Sequence, residues 1–545
     1  MTRFIGSGVS KALWLTDVNR TGPRSDIVKQ LMLLLTVVLA LFAAACGGSG
    51  SSFPTPPPPT GTFSNASLKG TYAFSMSGTD ASANPGAFIA RVGSFVADGS
   101  GGISMAMEDV SDAGALNTVQ FNGGSYSIQA NGKGTLTLNT LSGTGLVLTI
   151  ALNSPSKGVM IQTDLNATSS GSFILQSLNA FSLTAINGPY VFDVSGADVN
   201  RAPVSVVGQI MTSGGGTITS GIYDSNDGSS IPPLITAKTF GAGGTYALDP
   251  VNGATFGRGT LMFASRTFVF YIVDSTRLRL IETDGQLFTF GDALQQSSAP
   301  TQVSAGGFAF LLGGSAVLGT AGPIARGGRF TTDVSGNVTS IQLDDNNSGS
   351  VTQIGSGNTF SNTKFAIDAA NPGTGRGTLQ FTASGQANPF TFVFYFDSAT
   401  HALIQDTSNG VIADGSMLAQ SASFTSANLA GNYVFDWSGI NLSLGFEEDF
   451  AGQYALSSSG AITGVVDFVE LASPSSRNPA FLGIPITGSL TISGDGTGGN
   501  QYTVTTGNSP SATLNYHAYL TASGTVLLVG VDPKRTIAGS ATLQP

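Results

Sequence analysis

The 545-residue chain has a single cysteine, two histidines and two tryptophans, and only 10% of its residues are charged. An ordinary soluble protein has about 25% charged residues. One cysteine excludes an internal disulfide, so any domain must be held by packing alone, which requires domains well above about 80 residues. The histidines, His401 and His517, have no metal-ligand spacing to a cysteine or to each other. There is no Gly-x-Ser-x-Gly elbow, His-Glu-x-x-His helix or Cys-x-x-Cys pair, so serine hydrolases and zinc enzymes lack their reacting groups. Basic residues are also scarce, 22 Lys+Arg against 32 Asp+Glu. That balance removes the positive footprint that neutralises phosphates, and nucleic acid is not an expected partner. Long apolar runs are limited to Leu31 to Ala45, fifteen residues, too short for a permanent bilayer span.

That run follows Arg20, Arg24 and Lys29 and ends on Ala43, Ala44 and Ala45 directly before Cys46, the sole cysteine. A start at Val28 would make the signal compact. The pattern resembles a bacterial lipoprotein signal, with Ala43 where that family prefers leucine. The resemblance implies a diacylglyceryl group on the Cys46 sulfur, cleavage that leaves Cys46 as the N-terminus, and a lipid-anchored protein. Gly47 in place of aspartate implies the outer membrane, facing the periplasm or the cell surface. Residues 1–45 are therefore expected to be removed. Five of the 22 basic and two of the 32 acidic residues go with them, leaving 17 against 30. Residues 46–64, Gly/Ser-rich and then carrying Pro56 to Pro59, read as a tether.

The remainder is built of 73 glycines, abundant Ser and Thr, and 34 phenylalanines. An opening phrase occurs four times, at Gly70-x-Tyr72-x-Phe74, Gly188-x-Tyr190-x-Phe192, Gly306-x-Phe308-x-Phe310 and Gly431-x-Tyr433-x-Phe435, at intervals of 118, 118 and 125 residues. Closing phrases run Gly171 to Gln176, Gly291 to Gln295, Gly415 to Gln420 and Gly539 to Gln544. Between them stand Gly132-Lys133-Gly134, Gly257-Arg258-Gly259 and Gly375-Arg376-Gly377, reduced in the fourth copy to Gly496-Thr497-Gly498. The phrases divide the chain into β repeats at 65–178, 179–298, 299–421 and 422–545, each long enough for its own core and expected to lie as beads on a string.

Within a repeat, short runs of Phe, Tyr, Val, Ile and Thr alternate with Gly/Asn/Asp/Ser turns, giving about eight antiparallel strands. In Phe390 to Phe396 four phenylalanines fall on one face. The expectation is an all-β chain of four tandem domains, with an up-and-down barrel preferred to a sandwich because closure would pair the opening and closing strands. The architecture resembles the lipocalin and avidin style of barrel, without a diagnostic motif. As a whole the chain resembles bacterial lipoproteins made of tandem β repeats.

Aspartates recur after the third strand (Asp109, Asp224, Asp344, Asp467) and after the seventh (Asp164, Asp284, Asp406, Asp532). Both sets suit Asx turns. The alternative is a Ca²⁺ loop, best matched by Asp344, Asn346 and Ser348, whose start resembles an EF-hand loop but which has Gly355 where the bidentate glutamate belongs. The glycines around Arg376 read as a tight turn with positive φ, not a phosphate loop. Glu447-Glu448-Asp449 is the one compact acidic cluster and reads as a solvated loop, and Trp437 as a packed or rim aromatic. No catalytic residue is assigned. The expected role is a non-enzymatic cell-envelope lipoprotein that is structural, adhesive or binding, with a protein, glycan or small-molecule partner left open. A carrier of an apolar ligand inside a barrel and a carboxylate-dependent hydrolase are the alternatives.

Overall fold

A computed structural model describes residues 61–545 except 83–86, 113, 230–233, 301–304, 320, 356–358, 422, 426–428, 474–475 and 505–511. Cys46, the signal segment and most of the tether lie outside the described residues. What is described belongs to one compact unit, Pro56–Pro545.

Each repeat forms one nine-stranded antiparallel sheet, eight strands of which run round a barrel while a ninth lies beside the third. In the first repeat the barrel strands are Lys69–Asp80, Ala87–Asp98, Gly102–Asp112, Gly124–Ile128, Lys133–Thr140, Gly143–Ser154, Lys157–Gln162 and Ala167–Leu175, with Ala115–Phe121 as the extra strand. The first strand pairs with the eighth as closure requires: Phe74 faces Phe173, and its counterparts Phe192, Phe310 and Phe435 face Ala293, Met417 and Ala541. Repeats one, two and four close completely. The third curls without a ladder between Val338–Asn347 and Phe360–Ile367 among the described residues. Its fourth strand carries a bulge at Asn362, φ +53°, which bends that edge.

The alternation of side chains explains what fills each barrel. Phe390, Phe392, Phe394 and Phe396 point inward and are buried with Phe308, Phe310, Phe330 and Phe365. Trp437 is 1% exposed and stacks on Phe435 with ring centroids 4.0 Å apart, so it belongs to the fourth core. The aromatic of each opening phrase needs room across the ladder, and a glycine supplies it. Phe74, Phe192, Phe310 and Phe435 pair with Gly93, Gly208, Gly328 and Gly452. A Cβ on any of those glycines would stand within 2.9 Å of the facing ring. An arginine–carboxylate pair recurs in each barrel: Arg91–Glu108, Arg266–Glu282, Arg326–Asp406 and Arg535–Glu448.

The four cores are separate clusters, but the barrels are not beads on a string. The first two strands of each barrel pack on the sixth to eighth strands of the next. This holds for barrels one and two, two and three, three and four, and again for four and one. Ala73, Val92 and Met107 meet Val269, Tyr271 and Ile281, and Val191 and Val207 meet Val393 and Tyr395. Ala309 meets Tyr519 and Leu527, and Ala451 and Val469 meet Ile161. Four head-to-tail seams that return to their origin make a ring, the heterologous arrangement of a cyclic tetramer written in one chain. Seams bury outward faces as well as inward ones. The strand Phe390–Ser398 is therefore apolar on both sides, and the low charge content follows from the same cause.

Candidate functional site

The polar groups that recur in the sequence meet at the seams. The fifth strand of each barrel begins directly after a glycine of positive φ: Gly132 at +92°, Gly257 at +67°, Gly375 at +72° and Gly496 at +84°. The tight-turn reading of that phrase is correct, and the turn sets the next residue, Lys133, Arg258, Arg376 or Thr497, against the preceding barrel. There Lys133, Arg258 and Arg376 meet the third-strand aspartate. Arg258 Nε and Nη2 each donate to Asp109 over 2.8 Å, and Tyr271 Oη donates to the same carboxylate at 2.7 Å. One seam on, Arg376 Nε and Nη2 donate to Asp224 at 2.8 Å, and Tyr395 Oη at 2.6 Å. Asp249 and Asp368 take the third guanidinium nitrogen in each case. At the closing seam Lys133 Nζ donates to Asp467 at 2.6 Å. Burial opposes charge on Arg376, yet the Asp224 hydrogen bonds hold its pKa above the ordinary arginine value.

This corrects the Asx-turn expectation for Asp109, Asp224, Asp344 and Asp467. They lie within the third strand and point out of their own barrel, and at three of the seams that outward position faces the neighbour's cation. The seventh-strand set does form Asx turns: Asp164, Asp284, Asp406 and Asp532 accept from the amides of Asn166, Gln286, Ser408 and Lys534.

A second contact repeats at every seam. The side-chain amide of Gln176 donates to Ile272 O, that of Gln296 to Phe396 O at 2.6 Å, that of Gln420 to Leu520 O at 2.7 Å, and that of Gln544 to Leu152 O at 2.8 Å. The last bond joins residues 392 apart and closes the ring. The equivalent glutamine in the second repeat is Gln296, not Gln295, which bonds within its own barrel to Asn187 O.

The third seam departs from the pattern. Thr497 stands where the other barrels have Lys or Arg, paired across the ladder with Tyr519 as Arg376 is with Tyr395. Ser493 replaces the second carboxylate. Asp344 remains, 3% exposed, and its Oδ2 accepts from His517 Nδ1 at 2.8 Å and from Tyr519 Oη. Above it opens a cleft of about 330 Å³ lined by Gln342, Gln353, Ser493, Thr497, His517 and Tyr519 among others. The matching cleft at the first seam, with Arg258 in place, is about 220 Å³. The hydrogen bond that His517 donates to Asp344 raises the His517 pKa, with burial opposing it.

The calcium candidates do not converge. Asp344 is engaged as described, Asn346 Nδ2 donates to Gly530 O and Arg535 O of the fourth barrel, and Ser348 Oγ donates to Pro323 O. Among the described residues no group of three His, Cys, Asp or Glu side chains could hold a metal. His401 Nδ1 pairs with Asp397 at 2.8 Å beside its turn. Glu447, Glu448 and Asp449 are strand residues rather than a solvated loop. Glu448 turns inward to Arg535, while Glu447 and Asp449 face the first barrel and accept from Thr168 Oγ1 at 3.1 Å and Ser170 Oγ at 2.9 Å. Burial pushes Glu447 up to about 7, and burial together with Glu447 raises Asp449 well above the usual range.

No protein-family model and no curated protein sequence matches the chain. Solved structures with distant likeness include an AttH-type protein from Nitrosomonas europaea. It is 10% identical, the match covers 68% of this chain and 97% of the other, and the TM-score is 0.17. They also include transferrin binding protein B, as a double mutant from Haemophilus parasuis (8% identity, 71% and 83% covered, TM-score 0.18) and from serogroup B Neisseria meningitidis (10%, 71% and 84%, 0.18). Similarity this weak carries no functional weight.

Proposed function

We propose that the chain is a non-catalytic, lipid-anchored protein of the bacterial outer membrane whose ring of barrels is a rigid scaffold for binding. The observation that carries this reading is the closing seam, where Lys133–Asp467 and Gln544–Leu152 tie the last barrel to the first. A ring fixes four outer surfaces relative to one another, which a linker-joined string does not, and rigid presentation lowers the ordering cost of binding. Asp109, Asp224 and Asp467 are engaged by cations at the seams, and Glu108, Glu282, Asp406 and Glu448 by arginines inside the barrels. Inward-facing aromatics pack on one another in each barrel, which favours a scaffold over a carrier with an apolar lumen. The anchor rests on the Ala-Ala-Ala-Cys46 sequence. Metabolic labelling with a palmitate analogue in a Gram-negative host, followed by membrane fractionation, tests it. The expected result is label and outer-membrane partition for the wild type, both lost in Cys46→Ser. An unlabelled wild-type chain would reject the anchor.

A further inference from the structure

Three of the four seams seat a cation on the third-strand aspartate, and two of these use an arginine fork. The third seam retains the aspartate, the flanking tyrosine and the cleft, and lacks the fork together with the second carboxylate that holds it. We propose that the cleft between barrels three and four is a binding site for an alkylguanidinium, whose planar head sits on Asp344 as Arg258 sits on Asp109 and Arg376 on Asp224. The inference goes beyond the anchoring role and does not depend on it.

The chemistry is set by what the cleft presents. Asp344 is a buried carboxylate at its floor, and planar two-point pairing with a carboxylate is the guanidinium's particular strength. Ser493 adds a hydroxyl where Asp368 stands in the preceding seam, Thr497, whose own hydroxyl donates to Asp495 at 2.7 Å, stands in place of the longer Arg376, and Gln342 and Gln353 add amide groups at the side. The one resident competitor is His517. Protonated, it neutralises Asp344. Neutral, it leaves the carboxylate's charge for a ligand. The other charged groups around the cleft are already paired, since Arg329 contacts Asp495 at 3.4 Å and Gln420 at 2.9 Å, and Asp495 also accepts from Gln342. Tyr519 stays neutral, because burial and the Asp344 charge raise its pKa well above 10. Binding therefore strengthens as pH rises through the His517 pKa, which lies above 6.5.

The guanidinium could be a free small molecule or an arginine side chain of another polypeptide, and the experiment separates them. Calorimetric titration of the full-length protein in detergent at pH 8.5 uses agmatine, a Gly-Arg-Gly peptide, and a Gly-Lys-Gly peptide. The expected result is one site for agmatine or for the arginine peptide. Asp344→Asn is expected to weaken it by roughly tenfold or more, and Thr497→Arg to abolish it by supplying the fork internally. Thr497→Arg should also raise the melting temperature, a readout independent of ligand. Agmatine alone binding identifies a small-molecule site; the peptide alone binding identifies a polypeptide arginine. No binding of either by the wild type, binding untouched by Asp344→Asn, or equal binding of the lysine peptide would overturn the proposal.

Discussion

Replacing Arg376 by methionine isolates what one seam contributes. Asp224 is completely buried, and Arg376 donates two of its hydrogen bonds at 2.8 Å. After the change the carboxylate keeps Tyr395 Oη at 2.6 Å and the Ala237 amide at 3.0 Å, but no charge opposes its own. Removing one partner of a buried pair costs about 3–5 kcal/mol. The two surviving donors put Arg376→Met near the lower end, about 3 kcal/mol. Methionine fills most of the vacated volume, so a cavity adds little. Calorimetric unfolding of Arg376→Met, Asp224→Asn and the double variant forms a cycle. Because the neutral pair leaves no stranded charge, the double variant should lose at least about 1 kcal/mol less than the sum of the singles. A loss under about 1 kcal/mol for Arg376→Met, the range of an exposed ion pair, would refute the claim that the buried Arg376–Asp224 pair helps to hold the seam.

Other consequences follow from the same contacts. Lys133→Met acts only on the ring closure and should lower stability by about 3 kcal/mol, with faster amide exchange in Phe446–Leu456 and Lys157–Gln162 but not in Pro203–Ser213, measured by hydrogen-exchange mass spectrometry. Glu447 has a folded pKa of about 7 against an ordinary 4.5, so the protonated form favours the fold. The stability it contributes is complete below pH 4.5 and is lost as pH rises to about 7. Glu447→Gln with Asp449→Asn should flatten the fall in melting temperature over that window. Gly328→Ala would put a methyl 2.4 Å from Gln342 O and 2.9 Å from the Phe310 ring. It should cost about 1–3 kcal/mol by urea denaturation.

The barrels were legible because their signals are local. Alternation in Phe390–Phe396, the spacing of opening and closing phrases, and the positive-φ glycines each depend on a few neighbouring residues. So do the seventh-strand Asx turns, whose carboxylates reach amides two residues on. The ring was not legible, because Asp109 and Arg258 lie 149 residues apart and no local rule joins them. A signal was nonetheless present: Lys133, Arg258 and Arg376 head the same strand in three repeats, and each repeat keeps an outward aspartate. Reading that aspartate as turn chemistry hid the partnership. The same oversight made Asp344 a calcium candidate and Glu447–Asp449 a loop, since acids that cross to another barrel look unpaired within their own repeat. The change from arginine to Thr497 was visible as a degenerate phrase, but it gained meaning only once the other three positions were seen to touch aspartates.

Small-angle X-ray scattering on residues 56–545 tests the ring most directly. Barrels of about 120 residues have an individual radius of gyration of about 14 Å. Four of them closed into a ring give about 25 Å, whereas the same four in an extended line exceed about 35 Å. The account predicts the smaller value, unchanged in dilute solution and raised by Lys133→Met with Gln544→Ala. A wild-type value near the larger figure would contradict it.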